Sequence, residues 1–200
     1  MEREPLAKIA AGTSFEDERF EGLDLGGADL SGKDFTRCVF ARCKLGQTRW
    51  RGARLEDVEM DACDLTRANV EGLALRGARF ARSKLMGIDW SGVSDFPDVA
   101  FAETSLEYAT FVGLALRKIS IAGCNLRHAS FVRVDLQKAS FEGSDLEDAR
   151  FEDCDLRGAS LAKTRGALVD PRSNRVQGLV IPEDAALALA ELFGMKVRRG

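Results

Sequence analysis

From Phe15 to Leu161 the chain places a bulky apolar residue at every fifth position. The series runs Phe15, Phe20, Leu25, Leu30, Phe35, Phe40, Leu45, Trp50, Leu55, Met60, Leu65, Val70, Leu75, Phe80, Leu85 and Trp90. It takes one step of six, resumes at Phe96, Phe101, Leu106, Phe111, Leu116 and Ile121, and continues in fives to Leu161. Of the 12 Phe, 11 fall on these 30 sites, and so do both Trp. The position two residues earlier is Ala, Ser, Thr, Cys or Val in 23 of the 30 pentads and holds all five cysteines. Two residues after the bulky site sit 12 of the 19 glycines. A period of five matches neither a helical face nor an alternating strand. It predicts a chain that turns a corner once per pentad, with the small and the bulky residue both pointing inward.

The pentads ADLSG (28–32), CDLTR (63–67), CNLRH (124–128), SDLED (144–148) and CDLRG (154–158) resemble the A(D/N)LXX consensus of the pentapeptide repeat family. The resemblance covers residues 13–161 and implies an all-β fold, a right-handed quadrilateral β-helix with four pentads per coil. Sorted on four sides, one side reads Leu25, Leu45, Leu65, Leu85, Leu106, Leu126 and Leu146. The opposite side, from Phe15, mixes Phe and Leu. A third concentrates the largest rings, and the fourth runs from Phe20 to Leu161. Like side chains thus stack at one-coil spacing, as a solenoid requires. The sides stay in phase only if the extra residue near 91–95 is taken up in a bulge or short loop. Seven and a half coils at about 4.8 Å per layer give a shaft of roughly 36 Å. Glu18 and Lys33 occupy small inward slots where a charge is costly, so the first coils are expected to be frayed or open-sided.

This divides the chain into a lead-in (1–12), the β-helix (13–163) and a C-terminal segment (164–200) with an irregular crossing, a helix and a short strand. In the last segment Pro182 suits the first helical position, Glu183 and Asp184 the first turn, and Gly194 the stop. Leu189, Leu192 and Phe193 form an apolar stripe. Two readings follow: the helix caps the final coil, or it caps and also joins two copies, its apolar surface exceeding what one small end needs.

With 32 acids against 29 bases the formal charge is -3, which excludes a generally basic nucleic-acid binder. No apolar run reaches membrane-spanning length, and the start MEREPLAKIAAG is too acidic and too weakly apolar for a signal peptide. Five cysteines without CxxC spacing indicate free thiols in a reducing compartment, so a cytoplasmic location is expected.

The search for chemistry returns little. His128 is the only histidine and falls on an outward corner. The inward cysteines read as small hydrophobes, not as nucleophiles or metal ligands. Asp24, Asp29, Asp34, Asp64, Asp89, Asp135, Asp145 and Asp155 precede the bulky site, where a carboxylate can bond the backbone of its own corner. No phosphate-binding glycine fingerprint is present. We therefore expect no enzyme, no catalytic residue, no metal and no cofactor. No side carries a clean acidic stripe, but residues 141–158 hold Glu142, Asp145, Glu147, Asp148, Glu152, Asp153 and Asp155 against Arg150 and Arg157.

Within the family, the near-200-residue chain that is almost all repeat, the break after KLMGIDW (84–90) and the tail DPRSNRV…IPEDAALALAELFGMKV are similar to the gyrase-interacting members. These are the Qnr, MfpA and albicidin-resistance types. That resemblance implies a homodimer joined through Leu189, Leu192, Phe193 and Met195. It also implies a DNA-mimicking acidic surface over the seven acids of 142–155, directed at DNA gyrase or a related type II topoisomerase. The outcome would be resistance or self-protection against a gyrase poison such as a quinolone or albicidin, with no direct nucleic-acid or membrane binding. The long loops of the Qnr type are missing, which favours inhibition of gyrase over rescue from a quinolone. The alternative is a non-enzymatic solenoid scaffold for an unrelated protein partner.

Overall fold

A computed structural model describes residues 3–94 and 97–197. A helix, α1 (Arg3–Ala11), leads into a four-sided parallel β-helix. The side of Phe15 carries β1 (Ser14–Glu16), β3 (Asp34–Thr36), β5 (Arg54–Glu56) and β7 (Ala74–Arg76), paired in that order. The next side stacks six strands: β2 (Arg19–Glu21), β4 (Val39–Ala41), β6 (Glu59–Asp61), β8 (Ala78–Ala81), β9 (Val99–Ala102) and β11 (Ser120–Ala122). The all-Leu side is joined by single bridges such as Asp24 to Lys44 and Lys44 to Asp64. The fourth side adds β10 (Thr110–Val112), β12 (Ser130–Val132) and β13 (Arg150–Glu152).

Register follows the pentads. Phe15 lies beside Phe35, Phe35 beside Leu55, and Phe111 beside Phe131, each one coil apart. Every described residue of the bulky series is buried, while Phe96 lies outside the described residues. Phe111, Phe131 and Phe151 stack nearly parallel, with centroids 4.7 and 4.9 Å apart. The step of six is absorbed beside a short 3-10 turn at Trp90–Gly92, whose start is capped by Asp89 accepting from the Ser91 N–H. Phe80 therefore pairs with Phe101 and Asp89 with Thr110, and the sides remain in phase.

Except at Gly92 and Asp98, beside the step of six, each corner of the pentads is made by a residue with positive φ two places after the bulky site. Glycine suits this conformation, yet Arg37, Tyr108, Lys118, His128 and Asp153 adopt it as well. At Gly166 glycine is obligatory on space alone, since an added Cβ would lie 2.6 Å from Glu147 Cα. The Asp before the bulky residue fastens the corner: Asp64 accepts from the Thr66 N–H at 3.0 Å, Asp135 from Gln137 at 3.1 Å and Asp145 from Glu147 at 3.1 Å.

The small slots do more than fill space. Ser83 Oγ accepts the buried Cys63 N–H at 3.0 Å and donates to carbonyls of its own and the preceding coil, and Ser144 Oγ accepts the Cys124 N–H and donates to the Ile121 carbonyl of the preceding coil. Thr48 Oγ1 serves a ring, accepting Trp50 Nε1–H at 2.8 Å. Trp90 occupies the same side with Ile88 in the slot, and its buried Nε1–H has no partner among the described residues. Ile88→Thr is therefore expected to cost about 1 kcal/mol less than Ile119→Thr, whose neighbour Ile121 has no donor to satisfy. Urea denaturation of the two variants checks this, and equal costs would refute it.

Both ends differ from the expectation. The first coil is not open-sided: Ile9 of α1 is buried, and Leu6 packs against the core. Lys33 Nζ donates to the Gly12 carbonyl, and Glu18 pairs with Lys8 of the helix. The helix, with Gly12 just after it, thus supplies partners for the two inward charges as well as a cover.

At the other end the ladder runs on through a further coil. Asp145 bridges to Arg165, Asp155 to Arg175 and Ser160 to Val180, each at a spacing of one coil. Here Gly166 and Pro171 stand at two of the bulky positions, Val176 and Ile181 keep the other two, and Val169 and Leu179 add apolar volume in the slots. Then α2 (Glu183–Leu192) follows with Pro182 as its N-cap rather than its first residue. Gly194 ends it in the left-handed conformation, and no strand forms over 195–197.

Candidate partner-binding surfaces

The seven acids of 142–155 do not share a face. They follow the last regular coil around its sides: Glu142 beside Phe141, Asp145, Glu147 and Asp148 around Leu146, Glu152 and Asp153 after Phe151, and Asp155 before Leu156. The result is a ring rather than a stripe. Most of the ring is neutralised from the coils above and below. Lys163 holds Glu142 at 2.7 Å, Arg165 and Arg127 both reach Asp145, and Arg127 also pairs with Glu147. His128 Nδ1 lies 3.7 Å from Asp148 Oδ2, and Arg157 and Arg175 flank Asp155. Among the described residues Glu152 and Asp153 have no ion-pair partner, and Asp148 has only His128, a cation only when protonated.

The carboxyls respond accordingly. The Arg165 guanidinium, with the Glu147 N–H, holds Asp145 below the usual carboxylate range. Arg157 does the same for Asp155 and Lys163 for Glu142. All remain anionic at neutral pH, but their fields are partly cancelled at short range.

The expected dimer residues gather on α2 and the turn after it. Leu192, Phe193 and Met195 are 49%, 41% and 56% exposed, and Leu189 is half-buried. Only Ala185 of the helix is buried. Sequence reasoning missed the rest of this apolar surface: Val197, Val180 and Leu168 are exposed too. Leu168 stands at a position where the earlier coils carry glycine, glutamine, a charge or a polar ring, and that exception was a usable signal. Arg172, fastened to Asp170, lies 5.1 Å from the Phe193 ring centre and ties the helix end to the last coil. A cavity of about 860 Å³ opens there, lined by Leu168, Leu192, His128, Asp148 and Arg172 among others. His128 also stacks on Tyr108, rings 4.9 Å apart, which makes this the exposed aromatic pair of the shaft.

The cysteines are all buried and reduced. Burial pushes the Cys124 thiol up to about 11, and Cys38 and Cys154 shift the same way for the same reason. Among the described residues no group of His, Cys, Asp and Glu is arranged to hold a metal ion, and no helix is long and apolar enough to cross a membrane.

A right-handed coil of four pentads, carrying inward Phe or Leu and a fastened Asp corner, defines the class. The family model for the pentapeptide repeat region matches residues 13–90 and 93–161, and the chain belongs to that family. Among solved structures, the chain is similar to a trypsin-treated variant of QnrB1, a plasmid-mediated fluoroquinolone resistance protein. The TM-score is 0.76 at 20% identity, over 92% of this chain and 100% of that one. A second trypsin-treated QnrB1 variant matches with TM-score 0.70 at 21% identity over 93% and 92%, and full-length QnrB1 with 0.54 at 20% over 91% and 90%. No curated protein matches the sequence. At these identities the likeness speaks for the fold.

Proposed function

We propose that the protein is a non-enzymatic rod that binds DNA gyrase or a related type II topoisomerase in the manner of a DNA duplex. It would do so as a homodimer joined through α2, and give resistance or self-protection against a gyrase poison. The observation that carries this is the match of shape to a fluoroquinolone resistance protein over 92% of this chain and the whole of that one. The exposed Leu192, Phe193 and Met195 support a second copy at the C-terminal end, since apolar surface there is otherwise left in water. The cytoplasm is the location this requires.

The ring of acids supports mimicry less than its count implies. Five of the seven are matched by a base or by His128, which leaves Glu152 and Asp153 as its unpaired centre. That same neutralisation favours the second reading, a scaffold for an unrelated protein partner.

A gyrase supercoiling titration, alone and with a quinolone or albicidin-type poison, decides between them. Glu152→Lys with Asp153→Lys is the informative variant, because reversing Asp145 or Glu147 would also break contacts that hold the coils together. Inhibition, or relief from poison-induced cleavage, that is weakened by this variant and by added salt is the expected result. No effect at micromolar protein would sink the gyrase reading. Sedimentation of Leu192→Glu, expected to be monomeric, tests the dimer separately.

A further inference from the structure

The surface charges of the shaft obey a rule. Charged residues stacked one coil apart carry opposite signs: Asp17 and Arg37, Asp34 and Arg54, Arg51 and Glu71, Asp145 and Arg165 are examples in ion-pair contact. Asp24, Lys44, Asp64 and Lys84 alternate through four coils. Such ordering offsets repulsion between layers about 4.8 Å apart. Two stacks among the described residues break it. Asp135 lies beside Asp155, but Arg117, Arg157 and Arg175 surround that pair. Lys118 beside Lys138 has no such relief: neither forms an ion pair among the described residues, and Asp98, the next corner residue below, makes none with them.

Both lysines are exposed, and both are corner residues in the left-handed conformation, with φ near +60°. Their N–H groups are spent on the Gln137 and Arg157 carbonyls, so the backbone holds the two side chains side by side. Arg117 and Gln137, joined by a 3.0 Å hydrogen bond, form the other wall of a groove of about 400 Å³ lined by these four residues. The side chains thus frame a cationic notch where the rest of the shaft would have supplied an acid.

We propose that this groove is a docking site for an acidic peptide segment of a protein partner, whose carboxylate takes the place of the missing acid between Lys118 and Lys138. The neighbouring Asp135 and Asp155 limit the cationic surface to two coils, which suits one or two carboxylates and opposes a long polyanion such as duplex nucleic acid. The inference is independent of the gyrase reading, since it concerns other coils and the opposite charge.

The test uses a fluorescein-labelled octaglutamate peptide, with a 16-base-pair duplex as the comparison, followed by anisotropy at low salt. Lys118→Glu is expected to weaken peptide binding about tenfold. Arg67→Glu, an equal charge change at an exposed corner on another side, should leave it within about twofold. Lys138→Glu restores the alternation, so it should lose the peptide while raising Tm by about 2 °C. Equal losses in Lys118→Glu and Arg67→Glu would reduce the effect to net charge and overturn the site. So would a duplex that binds as tightly as the peptide, or a Tm that falls in Lys138→Glu.

Discussion

Phe131→Ala is expected to lower the unfolding free energy by about 3–5 kcal/mol, the range for deleting a buried aromatic ring. Phe131 is fully buried, stacked between Phe111 and Phe151 and touched edge-on by Phe141 at 5.8 Å. The cost should sit at the upper end because the site has little means to collapse. Its neighbours above and below are held at coil spacing by parallel ladders, β10 to β12 and β12 to β13, and do not settle into the gap. Phe15→Ala makes the contrast. It stacks on Phe35 from one side only, and its ring lies against Gly12, which follows α1 and is outside the coil ladders. Urea denaturation followed by far-ultraviolet circular dichroism gives both values. A smaller loss at Phe131 than at Phe15 would mean that the shaft relaxes along its axis and that the argument from rigid coils is wrong.

The second large effect is expected at Asn174, in the coil past the last pentad. Its side chain accepts the Cys154 N–H at 2.9 Å and donates to the carbonyls of Phe151 and Asp170 at 2.9 and 3.0 Å. Asn174→Ala strands a buried donor and removes the donor to two carbonyls, and should cost about 2–4 kcal/mol. The loss should be local, with faster amide exchange at Cys154 and through 162–181 and little change before residue 120. Asn174→Ser should recover part of it, because Ser83 and Ser144 perform the same service in their coils. Uniformly faster exchange along the chain would instead mean that the solenoid opens as one unit.

Much of the architecture can be read in the sequence because one inward site repeats without exception from Phe15 to Trp90. The corner role of Asp64, Asp135 and Asp145 is equally legible, since their spacing to the next backbone N–H is fixed by the corner. The final coil is not legible by the same rule. There two successive bulky positions fall to Gly166 and Pro171 before Val176 and Ile181 resume the series, so a search for large residues at step five is broken off after Leu161. The cover over the first coil was hidden for another reason. Lys33 and Glu18 are unfavourable only if nothing meets them, and what meets them, the Gly12 carbonyl and Lys8, comes from outside the repeat. At the acidic coil, summing charges over 141–158 discarded their order. Arg127 and Lys163, which neutralise Asp145, Glu147 and Glu142, lie just beyond that window.

The alternation of charge also bears on how the chain finds its register. To the apolar core one coil is much like the next: Leu45 would sit where Leu65 sits, and Phe111 where Phe131 sits. A nascent shaft that skipped a layer, or two chains that exchanged coils, would bury nearly the same surface. The charges have twice the period of the core. A slip of a single coil would set Asp24 against Asp64 and Lys44 against Lys84, turning attractions into repulsions along the edge at once. Each exposed contact is weak, but an error of register pays all of them together. The surface ion pairs are in this sense a parity check on a fold whose interior cannot count its own layers.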